Sequence, residues 1–166
     1  MLQPVRRRTW APRGHRPVQH SWIRRDRLST ISAVTVSPVR RHLGFYFRIH
    51  RHHIRFPEAL QFLKHLHRHL QRRFVLVLDR YQVHRKAVRL LAEEHPDWFQ
   101  AEWLPAYAPD LNPVEPAWAH TKYGDLANFI PEDVDDLYES VTDSMRGTCS
   151  NRDLIRSFFE CARLKL

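Results

Sequence analysis

The chain has 166 residues, with 27 Lys and Arg against 18 Asp and Glu, and a net charge of +9. That length suits one domain with a buried core, and no apolar run is long enough to cross a bilayer. The opening Met1-Leu2-Gln3-Pro4-Val5-Arg6-Arg7-Arg8 turns basic at once and argues against a secretory leader. Cys149 and Cys161 are the only cysteines. Without tight spacing they suggest a reduced, cytosolic protein, not a disulfide framework or a zinc site.

The charge is unevenly placed. Residues 1–73 carry 17 Lys and Arg but only two acids, Asp26 and Glu58, for a net +15; residues 74–166 are net −6. A half this basic repels itself unless an anion lies near, and a nucleic acid is the expected partner. The plainer alternatives are a solvated basic surface, or a basic half docked on the acidic one. The arginines are not laid out on one amphipathic helix, which disfavours a membrane surface.

In chain order, residues 1–27 read as irregular, with Pro4, Pro12, Gly14 and Pro17 among arginines. Leu28–Val36 is rich in β-branched residues and predicts a strand. After a Ser37-Pro38 turn, Leu43, Phe45, Phe47 and Ile49 alternate with polar or small residues, so a second strand should form a hairpin with the first. Pro57 suits the first turn of a helix, and Ala59, Leu60, Leu63, Leu66 and Leu70 follow at helical spacing. Phe74–Leu78 is apolar at every position, the pattern of a parallel strand covered on both faces. A helix over 85–95, a strand over 99–103 and a Pro-rich loop lead to a helix from Asn112. Two more helices are expected over 132–145 and 150–166. The layout is α/β, read as a single domain over 1–166.

Two carboxylates stand out. Asp79 ends the strand predicted to be central, and in open α/β sheets the functional crevice lies beyond such ends. The competing reading is a turn Asp capping the next segment. Glu115 would fall at the third position of a helix capped by Asn112, where a capping-box Glu belongs. A pair of such acids wants a hard divalent cation, Mg²⁺ or Mn²⁺.

The histidines are less specific. His84 could face the same crevice as Asp79, or simply pack. His65 and His69, four apart, could hold a metal, but they lie in a His/Arg run that reads as a polar helix face. His50, His52 and His53 sit in an Arg-rich stretch suited to phosphate or water. Trp10, Trp22, Trp98, Trp103 and Trp118 are expected in the core and not as platforms for bases.

Leu78-Asp79-Arg80-Tyr81-Gln82-Val83-His84, followed by Leu104-Pro105-Ala106-Tyr107-Ala108-Pro109-Asp110-Leu111-Asn112-Pro113-Val114-Glu115-Pro116-Ala117-Trp118, resembles the catalytic half of DDE transposases of the insertion sequence 630 group, relatives of the Tc/mariner elements. The 35 residues between Asp79 and Glu115 agree with that pattern. Arg8-Thr9-Trp10-Ala11-Pro12-Arg13-Gly14 resembles the family's stretch after its first catalytic strand. The likeness runs from about Arg7 to Phe129.

The resemblance implies a ribonuclease-H-like fold, a mixed sheet flanked by helices. It also implies two divalent metals held by three acids, with Asp79 as the second and Glu115 as the third. The implied activity is metal-dependent DNA cleavage and strand transfer by a bacterial, cytoplasmic, nucleoid-associated protein acting as a homodimer or a mixed dimer with a full-length copy. Candidate DNA contacts are Arg6, Arg7 and Arg8, Arg24 and Arg25, with His84 and Lys122. The first acid of the pattern should precede the segment resembling Met1–Arg8. Asp26 lies beyond that segment and does not match. The chain is therefore expected to be a truncated copy that lacks its first central strand and the family's helix-turn-helix region. Two rival readings remain: a non-catalytic basic DNA-binding protein that represses its full-length relative, and a metal-binding protein that uses the histidines.

Overall fold

The computed structural model describes residues 5–15, 18, 27–39 and 41–166. Strands β1 (Ser29–Val36) and β2 (Leu43–His50) precede helix α1 (Phe56–Leu70), strand β3 (Phe74–Leu78), helix α2 (Gln82–Glu94) and strand β4 (Phe99–Trp103). Helices α3 (Val114–His120), α4 (Val134–Ser150) and α5 (Arg152–Cys161) complete the order. The α/β layout is as expected.

β1 and β2 form the expected antiparallel hairpin, from Ser29 opposite His50 to Val36 opposite Leu43. β3 and β4 pair in parallel, from Phe74 beside Phe99 to Leu78 beside Trp103. A parallel pair needs a crossover, and α2 supplies it. Among the described residues the strands make two separate two-stranded sheets instead of one mixed sheet.

Each sheet has its own core. The hairpin packs against α3, α4 and α5 through Phe45, Ala117, Leu137, Val141, Met145, Ile155 and Phe158. The β3–β4 pair packs against α1 and α2 through Ala59, Leu63, Ala87, Val88, Leu91 and Phe99. Ile31 of β1 reaches this second core. Burial of these apolar side chains drives both assemblies.

The expectation that β3 is covered on both faces is corrected. Phe74, Leu76 and Leu78 face the second core, whereas Val75 is 61% exposed and Val77 57%. The long C-terminal helices pack on β2 instead, so nothing among the described residues closes over this face.

Local chemistry sets the helix ends. The Arg55 N–H donates to Glu58 Oε2 (2.8 Å) at the start of α1. Asp133 Oδ1 accepts from the N–H groups of Asp135 and Asp136, both at 2.8 Å, and Asn151 Oδ1 accepts from Leu154 (3.0 Å). These bonds satisfy first-turn donors. α5 stops at Cys161, short of the expected 166. Arg163 turns left-handed at φ 59°, and the Leu164 N–H returns to the Phe159 carbonyl (2.9 Å), an arrangement that closes helices.

Candidate active site

Asp79 follows β3 directly. The ladder extends past Leu78, whose carbonyl accepts from Leu104 N–H (2.9 Å), so the backbone before Asp79 is firmly held. Asp79 Oδ1 accepts from Tyr81 N–H (3.1 Å) and from His84 Nδ1 (2.6 Å). The first bond is the turn-capping one, so a turn role and a site role coexist here. Neither bond uses Oδ2. The His84 hydrogen bond, with the Tyr81 N–H adding to it, holds the Asp79 carboxyl below its usual range against the opposing effect of burial.

Glu115 comes from α3. The helix begins at Val114 with Pro113 as its cap, one residue later than expected, which puts Glu115 at the second helical position. Asn112 still serves the helix start: its Oδ1 accepts from Val114 N–H (3.2 Å), and its carbonyl accepts from Glu115 N–H (3.0 Å). The expected capping box is absent. No hydrogen bond reaches the Glu115 carboxylate among the described residues, and burial pushes its pKa up, with the negative charge of Asp79 pushing the same way.

The two acids come from different cores. Asp79 leaves the β3–β4 pair, while α3 is fixed to the hairpin by buried Ala117 and by the bond from Trp118 Nε1 to Ser32 Oγ (3.1 Å).

The other sequence candidates scatter. His84 is turned onto Asp79 and is about a quarter exposed. Arg7 is used structurally: its N–H donates to Asn128 Oδ1 (2.7 Å), its guanidinium to the Tyr123 carbonyl (2.5 Å), and neighbouring Val5 bridges Ala127. Arg6 and Arg8 flank it on the surface. Lys122 lies on a turn after α3, with Nζ 5.0 Å from the centre of the Tyr123 ring. Arg24, Arg25, Asp26 and Trp22 lie outside the described residues.

His65 and His69 touch through their Nε2 atoms at 3.0 Å. The docking of the basic half on the acidic half is visible in the ion pairs Arg51–Asp135 and Lys64–Glu94. Trp10 is 99% exposed, so its core placement is corrected, whereas Trp98, Trp103 and Trp118 pack against the cores as expected. The sequence reading overlooked Arg85, Lys86 and Arg89 on α2, because the net charge of residues 74–166 is negative. Their spacing on one helix face was the available signal.

Among the described residues no group of three or more His, Cys, Asp or Glu side chains is placed to hold a metal ion. The donor set at Asp79 and Glu115 nevertheless fits a hard divalent cation: carboxylate oxygens only, of which Asp79 Oδ2 and both Glu115 oxygens take no hydrogen bond among the described residues. Mg²⁺ typically takes one or two carboxylates and completes its shell with water and substrate phosphate.

The family model for DDE superfamily endonucleases matches residues 1–137. The chain belongs to this family. That bears out the resemblance to DDE transposases. The fold is similar to that in the crystal structure of the Mos1 strand transfer complex, with a TM-score of 0.56 and 19% identity over 98% of this chain and 50% of that one. The DDE chain described here thus spans half the length of its structural relative. No curated protein matches the sequence. Among the described residues no helix is long and apolar enough to cross a membrane.

Proposed function

We propose that this DDE endonuclease chain supplies two of the three metal-binding acids of a DNA transposase, Asp79 and Glu115. The observation that carries the reading is the family match over residues 1–137, which takes in the motifs of both acids. They would hold Mg²⁺ or Mn²⁺, which when bound would stabilise the attacking and leaving oxygens in displacement at a DNA phosphodiester. His84 orients Asp79 through Oδ1 and leaves Oδ2 for the cation. The N-terminal turn of α3 fixes Glu115.

The third acid would come from a further strand that is not present among the described residues. Its place is between β1 and β3. The unjoined sheets and the contact of Ile31 with the second core support that placement. A strand there would join the two pairs into one mixed, ribonuclease-H-like sheet and remove two open edges. The chain alone would then bind metal weakly and leave DNA uncut, and a dimer with a complete copy would be its working form.

Manganese binding followed by electron paramagnetic resonance tests this. Mn²⁺ should bind weakly to the purified chain and more tightly with DNA present, and Asp79→Ala or Glu115→Ala should abolish that gain. Unchanged binding in both variants would refute the metal roles, and nicking of DNA by the chain alone in Mg²⁺ would refute the need for a third acid from elsewhere. A second reading, DNA binding without cleavage, is favoured by the +15 charge of residues 1–73. It is tested by the salt dependence of binding, and a flat response would exclude phosphate contacts.

A further inference from the structure

His65 and His69 lie one turn apart on α1, where residues four apart stand one above the other on the same face. Ala59, Phe62, Leu63 and Leu66 form the buried stripe of that helix. The histidines flank the stripe, with His65 half-buried and His69 exposed. Their Nε2 atoms approach to 3.0 Å, with ring centres 4.3 Å apart and planes at 77° to each other. In such a contact one Nε2 donates its proton to the lone pair of the other.

The turn that carries His69 is firmly held. Gln71 closes α1 in the left-handed region, at φ 52°, and its N–H returns to the His67 carbonyl (2.9 Å). His67 in the same turn stacks on Trp98. On the hairpin side the Tyr46 ring lies 5.9 Å from the His69 ring. Little conformational freedom is left to lose when a ligand bridges the two imidazoles.

We propose that His65 and His69 form a chelate for a divalent transition metal, with Cu²⁺ the favoured ion. Imidazole nitrogen suits copper, nickel and zinc, whereas carboxylate oxygen suits magnesium and manganese. This site and the acids Asp79 and Glu115 therefore select different ions. The bite decides among the metals that prefer nitrogen. At a metal–nitrogen length of about 2.0–2.1 Å, nitrogens 3.0 Å apart subtend about 95° at the metal. Adjacent corners of a square-planar shell, a copper or nickel geometry, stand about 90° apart. A tetrahedral zinc shell would want the nitrogens about 3.4 Å apart. Copper also stands highest in the affinity order of these ions. The cation takes the place of the shared proton, and the ring that donated it carries its proton on Nδ1 instead. Water fills the other positions, since no third His, Cys, Asp or Glu is placed to join the pair among the described residues. Arg48 and Arg68 lie near His65 and oppose the added charge, so the chelate is one of moderate affinity.

The test is a Cu²⁺ titration of the full chain, purified without a tag, followed by electron paramagnetic resonance and calorimetry. One copper per chain should bind most tightly, with a tetragonal spectrum split by two ring nitrogens. Two ligands fixed side by side exceed one by about 10²–10⁴ in affinity. His65→Ala and His69→Ala should therefore each weaken that copper by about a hundredfold or more and lose the two-nitrogen splitting. His52→Gln with His53→Gln removes two histidines from the segment before α1 and should leave affinity and spectrum unchanged. Equal melting of all variants without metal confirms that folding is intact. Copper held as tightly by either single variant as by the native chain, or lost in the double variant, would overturn the chelate. A native spectrum without two-nitrogen splitting would do the same, and Zn²⁺ held more tightly than Cu²⁺ would overturn the square-planar bite.

Discussion

His84 donates from Nδ1 to Asp79 Oδ1 across 2.6 Å, and this bond does more than any other contact to hold the Asp79 carboxyl below its usual range. A carboxylate whose folded pKa is depressed stabilises the fold above its unfolded pKa. That stability is lost as pH falls through the lower, folded value. His84→Ala should therefore let Asp79 titrate nearer its ordinary value and flatten the acid-side loss of stability. Carbon NMR of the Asp79 carboxyl across the acid range reads this directly. An unmoved titration would mean that His84 does not govern the acid.

Glu115 behaves in the opposite sense. Its pKa is raised by burial and by Asp79, so its charged form is a cost to the fold at neutral pH. That cost is present above the raised folded value and disappears below the ordinary one. Glu115→Gln should raise the melting temperature at neutral pH and give no gain in acid, where the native Glu is already protonated. Thermal melts at the two pH values check this. A gain of equal size in acid would point to packing instead of charge.

The elements that carry Asp79 and Glu115 were legible from sequence because strand ends and loop prolines are local signals. β4 falls at 99–103 as the alternation predicts, and Asp79 directly follows β3. What failed depended on neighbours. An all-apolar run such as Phe74–Leu78 cannot say which of its faces is covered, and the exposure of Val75 and Val77 follows from where α4 and α5 pack. The one-residue shift of α3 was illegible for a different reason. Asn112 and Pro113 can both start a helix, and the choice between them decides whether Glu115 stands at the second or the third helical position. The cationic stripe on α2 was hidden by averaging charge over a segment instead of over a helix face.

The bare face of β3 makes a graded prediction. Val75→Thr and Val77→Thr remove methyls that touch little, and each should change stability by no more than about 0.5 kcal/mol. Leu91, 1% exposed on the covered side, should cost about 2–5 kcal/mol when cut to Ala. Urea melts of the three variants separate the two faces. Losses above 2 kcal/mol at Val75 and Val77 would show that the face is covered in solution, by self-association or by another strand.

Trp98 stands at the start of the strand pair that leads to Asp79. Its indole stacks with His67 at 3.9 Å and with His95 at 3.7 Å, both within 2° of parallel. The first histidine comes from α1 and the second follows α2, so the stack ties both helices to the entrance of β4. Trp98 also accepts from the Phe74 N–H at 3.3 Å, which sets the register of β3 against β4 and so the height of Asp79 at the far end. Trp98→Ala should cost near the lower end of the roughly 3–5 kcal/mol seen for such truncations, because the ring is partly exposed. Trp98→Phe keeps an aromatic partner, and should lose only about 0.5–1.5 kcal/mol of stacking. If the stack fixes the register, Mn²⁺ affinity should fall in Trp98→Ala even at temperatures where the variant stays folded, and should largely persist in Trp98→Phe. Metal affinity that ignores both substitutions would show that the position of Asp79 is set by the β3–β4 ladder without help from the stack.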